Sequence, residues 1–379
     1  MLTVLCVVGT RPEAIKMAPV IKELRRYPER VRSVICSVGQ HRKMLDQVLD
    51  VFQIAPDYEL NVMQPEQSLS QLTANLFSGL DPVVERTRPD WILAQGDTTS
   101  VLVAAMVAFY HGIGFGHVEA GLRTGDKQRP FPEEINRRMA DLVASVYFAP
   151  TETARQALLR EGCAEQDIYV TGNTVVDALN DVASREYDRC SGPLSTLPLD
   201  RRLVLITAHR RESFGDPFRE LCLAIRDLAR IFAGAVHFVY PVHLNPNVQQ
   251  PVREILSGLS NVSLIEPLDY VSLVHLMKRS RLILTDSGGI QEEAPGLRVP
   301  VLVMRDNTER PEGVEAGAVR LVGTKRCRIV REAERLLRDP AAHEAMVTDK
   351  NPYGDGNAAK RIVAALLERS DLKNQRGGI

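Results

Sequence analysis

Long apolar runs, paired cysteines and an excess of either charge are all missing from this chain, and each absence removes a class of function. Its 379 residues contain no stretch of roughly 18 uncharged apolar residues, the length a membrane-spanning helix needs. The N-terminus, MLTVLCVVGTRPEA, lacks the basic segment that opens a signal peptide. The six cysteines (Cys6, Cys36, Cys163, Cys190, Cys222, Cys327) are scattered without a C-x-x-C pair. That spacing argues against a zinc site and a disulfide framework, and for reduced thiols in a cytoplasmic protein. Lys and Arg total 47 against 48 Asp and Glu, so the net charge is −1; a dedicated nucleic-acid binder would be clearly basic. There is no G-x-x-x-x-G-K-[ST], G-x-S-x-G or H-E-x-x-H. P-loop phosphotransfer, serine hydrolysis of the elbow type and zinc proteolysis therefore leave the leading options. The expectation is a protein without membrane, nucleic acid or metal.

What is present is an alternation of short apolar, β-branched runs with helical patterns. Leu2–Val8, Val31–Val38, Trp91–Ala94, Ser145–Ala149 and Ile168–Thr171 read as strands, and the pattern restarts at Leu203–Thr207. Val236–Tyr240, Val262–Ile265, Leu282–Thr285 and Val299–Met304 follow, and Ala358–Arg369 is an amphipathic helix. Continuous apolar strands alternating with helices predict α/β architecture with parallel sheets covered on both faces. At roughly 150 residues per domain, two Rossmann-like halves are expected. The polar stretch Asn180–Arg201 reads as their linker.

Five segments carry candidate chemistry, four of them at predicted strand ends, where doubly wound sheets bind ligands, and one at the end of a short apolar stretch. In Gly9-Thr10-Arg11-Pro12-Glu13, glycine permits a tight turn, the following helix start attracts anions, and Arg11 and Lys16 are cations in reach. The bland alternative is a βα turn with solvated charges. In Gln95-Gly96-Asp97-Thr98, Asp97 either caps a helix or presents a carboxylate. His117-Val118-Glu119 is followed by Pro132-Glu133-Glu134, which opens a helix; either glutamate there could serve the helix dipole alone. If Asp97, Glu119 and Glu133 converge, mutual repulsion raises at least one pKa, which suits proton transfer. His209-Arg210-Arg211 is a cationic cluster suited to phosphate, and His243 reads as structural or as a support behind the site. In Thr285-Asp286-Ser287-Gly288-Gly289, backbone N–H groups can cradle a diphosphate, with Glu293 placed for ribose hydroxyls and Arg310 as a further cation.

These blocks together resemble the bacterial non-hydrolysing UDP-N-acetylglucosamine 2-epimerases. GTRPEAIKMAPV, AQGDTTS, HVEAGLRTGD, PFPEEINRR, TGNTVVDAL, TAHRRESFG, YPVHLNPNV, LILTDSGGIQEEAP, MRDNTERPEGVEAG and NPYGDGNAAKRI run in family order from Gly9 to Ile362. The resemblance implies a fold like that of the GT-B glycosyltransferases, with two Rossmann-like domains facing a deep cleft. It divides the chain into 1–175, joined by the C-terminal helix 357–370, and a UDP-binding domain 176–356. It implies a homodimer that interconverts UDP-GlcNAc and UDP-ManNAc without a bound cofactor. Asp97, Glu119 and Glu133 match the family's proton-transfer carboxylates, and His209 its histidine near the diphosphate. Arg11 and Lys16 match cleft cations, Ser287, Gly288 and Gly289 the diphosphate turn, Glu293 the ribose contact, and Arg310 a ligand-binding arginine. Gln40 and His41 match a regulatory UDP-GlcNAc site. Glu66-Gln67 replaces the Arg-Gln of regulated relatives, so weak or absent activation is expected. Leu268 and Leu273 depart from the family near the uracil pocket, which shifts recognition towards backbone groups. The rival readings are a glycosyltransferase, a hydrolysing epimerase and a non-catalytic sugar-nucleotide sensor. Three carboxylates favour the epimerase, because transfer at C1 has no use for a base at C2.

Overall fold

Leu2–Val8 is apolar at nearly every position and forms a strand, β1, whose residues are almost all buried. That burial on both faces is the mark of a central parallel strand. The computed structural model describes residues 1–39, 42–64, 66–188, 190 and 192–376, with backbone alone at 42–44 and 373–376. The chain forms two units, Met1–Ala178 with Gly354–Ile379, and Leu179–Tyr353.

The first unit holds β1, β2 (Val31–Ser37), β3 (Tyr58–Glu59), β4 (Trp91–Gln95), β5 (Gly114–Val118), β6 (Val146–Ala149) and β7 (Ile168–Val170). They form one parallel sheet in the order β3-β2-β1-β4-β5-β6-β7. Helices α1 (Arg11–Leu24), α2 (Arg42–Val51), α3 (Leu69–Thr87), α4 (Thr99–Tyr110), α5 (Glu133–Val143) and α6 (Glu152–Arg160) connect them. The starts of α1 and α3 have local reasons. Thr10 precedes α1 and Pro12 sits in its first turn, where a missing N–H costs nothing. Ser68 and Gln71 form a reciprocal capping box on α3. Helix α4 is apolar on most faces because it is buried on most faces.

Helix α7 (Thr174–Ser184) runs across the division between the units. The second unit has β8 (Arg202–Thr207), β9 (Val236–Pro241), β10 (Val262–Ile265), β11 (Ser280–Thr285), β12 (Val301–Val303) and β13 (Val319–Leu321), all parallel, in the order β10-β9-β8-β11-β12-β13. Its helices are α8 (Asp216–Ile231), α9 (Pro246–Leu256), α10 (Tyr270–Arg279), α11 (Gly288–Glu293), α12 (Pro311–Glu315), α13 (Arg326–Arg338) and α14 (Pro340–Glu344). Helix α15 (Ala358–Arg376) returns to the first unit. There Asp177 accepts the N–H groups of Ala358 and Ala359, and Arg361 donates to the Thr171 carbonyl at 2.9 Å. No helix among the described residues is long and apolar enough to cross a membrane.

The expected linker, Asn180–Arg201, is corrected. Its first residues are helical, and its other described residues belong to the second unit. Leu194 and Leu197 are buried, and Tyr187 stacks on His275 and bonds Ser272. A few apolar anchors outweigh the polar character of the stretch, because each buries its side chain at a gain of about 2 kcal/mol.

Both sheets reverse their strand order at one place, between β1 and β4 in the first unit and between β8 and β11 in the second. At such a switch point the connections leave in opposite directions and open a crevice beyond the strands' carboxyl ends.

Candidate active site

In the first unit, Gln95 pairs with Val118, so Asp97 and Glu119 emerge from neighbouring strand ends. Asp97 does not cap α4: the cap position is Thr98, without a side-chain cap bond. Instead Asp97 Oδ2 accepts from Arg137 Nη2 at 2.5 Å, and its carbonyl accepts from Asn136 Nδ2 at 3.0 Å. Glu119 takes a left-handed φ of +68°, uncommon without glycine. Its buried Oε2 accepts from Lys16 Nζ at 2.5 Å and from Asn173 Nδ2 at 3.1 Å. Glu133 is the first residue of α5, four before Arg137 and therefore on the same helix face. Glu134 is structural: fully buried, it accepts the N–H groups of Thr124 and Gly125 and lies 3.4 Å from Arg137. Arg11 is half-buried as the first residue of α1.

Two features of this switch point differ from the sequence reading. Gly9 is required by close approach rather than by a tight turn. A Cβ there would stand 2.5 Å from Ser100 Oγ and 2.9 Å from a Val38 methyl, and the φ of Gly9 is not among the positive ones. The start of α1 is also occupied by the chain's own carboxyl. Glu13 accepts from the Gly9 N–H at 2.7 Å and the Thr10 hydroxyl at 3.0 Å. Burial pushes the Glu13 carboxyl up to about 7, opposed by those bonds and helped by the negative charge of Asp97. The spacing Thr10-x-x-Glu13, a capping-box pattern, was the available clue.

Behind Asp97 lies a second group that sequence reasoning missed. His117 is fully buried; its Nδ1 meets Asp141 Oδ1 at 2.6 Å and its Nε2 meets the Gly96 carbonyl at 2.7 Å. Both neighbours are acceptors, so both nitrogens must donate and the ring is an imidazolium. Burial works against that charge, but Asp141 and the carbonyl override it and leave the His117 pKa raised. Asp141 is lowered: burial opposes its charge, and His117 and Arg123 outweigh it. The pair thus ties the Gly96–Asp97 turn to α5.

In the second unit, the β8 and β11 loops are stapled together. Thr207 and Thr285 share a 2.6 Å hydroxyl bond, and Asp286 Oδ2 accepts the N–H groups of His209 and Arg210 at 2.7 and 2.8 Å. Ser287 N–H donates to Thr285 Oγ1 at 2.9 Å. Gly288 and Gly289 follow as the first residues of α11. A Cβ at 288 would lie 3.3 Å from Arg310 Cζ and 3.6 Å from an Arg210 Nη, so both guanidinium groups lie close above this backbone. Two guanidinium groups therefore close over a bare backbone, an arrangement suited to a bound anion with several oxygens. The Arg310 guanidinium is aimed by Glu292, which accepts from its Nε at 2.8 Å, while the Thr308 hydroxyl accepts the Arg310 backbone N–H at 3.1 Å. Arg305 is held by Glu212 and Glu309. Despite burial, those arginines keep the Glu309 carboxyl down at about 2. Glu293 is nearly buried and accepts from Tyr270 at 3.4 Å, and Asp269 caps α10. Gln40 and His41, the expected regulatory contacts, lie outside the described residues.

A family model described as UDP-N-acetylglucosamine 2-epimerase matches residues 22–367. The UDP-N-acetylglucosamine 2-epimerase of Escherichia coli K12 is 52% identical over 96% of this chain and 98% of its own. That of Bacillus subtilis is 48% identical over 97% and 95%. The chain belongs to the UDP-N-acetylglucosamine 2-epimerase family. It is accordingly an isomerase, with the family's two parallel-sheet α/β domains. A crystal structure of the Neisseria meningitidis member bound to UDP-GlcNAc superimposes with a TM-score of 0.89, at 46% identity, over 97% of this chain and 100% of that one. Family membership carries no residue roles by itself; those rest on the geometry above.

Proposed function

We propose that the protein interconverts UDP-N-acetylglucosamine and UDP-N-acetylmannosamine by non-hydrolysing elimination and re-addition of UDP, without a bound cofactor. The observation that carries this reading is the pairing of chemistries at the two switch points. One presents Asp97 and Glu119, paired with Arg137 and Lys16; the other presents two arginines over a glycine backbone. A C2 hydrogen is not α to a carbonyl, so removing it needs a base together with an exit for charge at C1. In the forward direction a carboxylate takes the C2 proton, the C–H electrons form the C1–C2 double bond, and the C1–O electrons leave with UDP. The other face of the resulting 2-acetamidoglucal then receives a proton, and UDP re-adds. Asp97, Glu119 and Glu133 are assigned to the proton steps. His209, Arg310, Ser287, Gly288 and Gly289 are assigned to the diphosphate, with Arg11 and Lys16 as supporting cations and Glu293 on the ribose. Charge stabilisation of this kind supplies much of an enzyme's rate.

The assembly is assigned as a homodimer working in the cytoplasm and supplying ManNAc units for surface polysaccharide. Supporting the dimer, Phe109, Tyr110, Met139 and Leu142 are 60%, 66%, 43% and 83% exposed near the C-terminal ends of α4 and α5, neighbouring helices that run in the same direction. Exposed apolar side chains so grouped mark an interaction surface. Light scattering reads the dimer directly, and a monomer at micromolar concentration removes it.

The decisive experiment is proton NMR of UDP-GlcNAc incubated with the protein in D2O. Deuterium at C2 of both nucleotide sugars is expected, with no acceptor added. Free ManNAc would replace the non-hydrolysing reading with a hydrolysing one, and unchanged substrate would remove epimerisation altogether.

A further inference from the structure

His209 and Asp286 follow β8 and β11, and the register Thr207 to Thr285 sets these two loops side by side. Asp286 is fully buried. Its Oδ2 accepts two backbone N–H groups, those of His209 and Arg210. Its Oδ1 is buried with no hydrogen-bond partner among the described residues and lies 3.8 Å from His209 Nδ1. The His243 ring stacks on that of His209, with centroids 5.3 Å apart and planes within 12°. His243 Nδ1 accepts the Asn245 N–H at 3.1 Å, which places the His243 proton on Nε2.

Stapling two loops needs one acceptor oxygen, which an asparagine would supply without burying a charge. The second oxygen is left over, and it faces an imidazole. We propose that Asp286 is the positioning residue of His209: a small rotation of the ring, guided by the His243 stack, closes the gap to an Nδ1–H···Oδ1 bond. That bond commits the other nitrogen, Nε2, to the substrate and supports positive charge on the ring as the C1–O electron pair departs with UDP. No covalent bond to either residue forms or breaks. The arrangement follows the logic by which a buried carboxylate orients a catalytic histidine, and such bonds are often long before substrate arrives. Burial holds the His209 imidazolium below its usual range, and Asp286 pulls it up against His243 and Arg210. The inference rests on the assignment of His209 to the diphosphate.

Asp286→Asn keeps an oxygen for the two N–H groups, so it separates stapling from positioning. The expected result is a kcat lower by about a hundredfold with KM moved less than about threefold. The basic limb of the kcat–pH profile is expected to move to lower pH by about one unit, because the carboxylate that favours the imidazolium is gone. A kcat within about twofold of wild type and an unmoved profile overturn the proposal. If the variant does not fold, ¹⁵N NMR of histidine-labelled wild type decides, with the signal assigned by His209→Asn. Protonation at Nδ1 supports the pairing, and a ring protonated at Nε2 alone overturns it. The NMR readout needs no turnover. A wild type that fails to epimerise UDP-GlcNAc therefore sinks the proposed reaction, while the tautomer still judges the pairing.

Discussion

At the switch point of the first sheet, Asp97 and Glu119 each hold a cation from a helix, Arg137 and Lys16. At the switch point of the second, Arg210 and Arg310 stand over Gly288, while the carboxylates Asp286 and Glu292 are buried as their supports. The topology is the same and the charge arrangement is inverted. Strand order fixes where a crevice forms, and the loop residues choose its chemistry. The deeply buried ions among these, Glu119, Lys16, Arg137, Asp286 and Glu292, cost several kcal/mol each in desolvation, and apolar pairs of the same size would often be as stable. Their presence at both switch points is therefore better explained by ligand chemistry than by stability.

The sharpest way to break the comparison is Asp97→Asn. Loss of a general acid–base group is expected to lower kcat by about a thousandfold, with a fold unchanged by circular dichroism. Turnover near wild type would remove Asp97 from the proton steps. Lys16→Met attacks the same side through stability. It leaves Glu119 buried without its cation, and denaturant titration is expected to show a loss of about 3–5 kcal/mol. An unchanged midpoint would mean that the pair contributes nothing. On the cationic side, Arg310→Ala is expected to weaken UDP binding by about 2 kcal/mol, roughly thirtyfold, with a smaller loss for Arg310→Lys. Calorimetry reads both, and equal affinities would place the anion elsewhere.

Glu13 gives a pH test of the first switch point. Its folded pKa is raised to about 7 from 4.5, so the native state binds the proton more tightly than the unfolded chain. That contribution is complete below about 4.5 and is lost as pH rises through about 7. Glu13→Gln keeps an acceptor and removes the titration. Its stability relative to wild type is expected to improve between pH 5 and 8, by up to about 3 kcal/mol. Parallel curves for the two proteins would show that Glu13 does not titrate there. The smallest effect is regulatory: with Glu66 in place of an arginine, pure UDP-ManNAc is expected to turn over with hyperbolic kinetics. An absolute requirement for added UDP-GlcNAc would contradict this.

Much of the fold was legible because β1, β8 and β11 are continuous apolar runs whose pattern survives any context. The strand β5 was not. Gly114-Phe115-Gly116-His117-Val118 carries two glycines, which weaken a strand on local grounds. Those glycines exist because Trp91 and Leu93 of β4 occupy the space: a Cβ would meet them at 2.7 and 2.5 Å. The reason for the sequence lies in the neighbouring strand.

The same division holds for the site. By itself the sequence determined the order of the loops, the residue types at their tips and the family, because these are properties of short segments. Only the tertiary structure decided partners. Arg137 reaches Asp97 from 40 positions away, Asn173 reaches Glu119 from 54, and Asp286 reaches His209 from 77. It also decided that the carboxyl forced towards neutrality is Glu13, since desolvation depends on what surrounds a group in space and not on its neighbours along the chain.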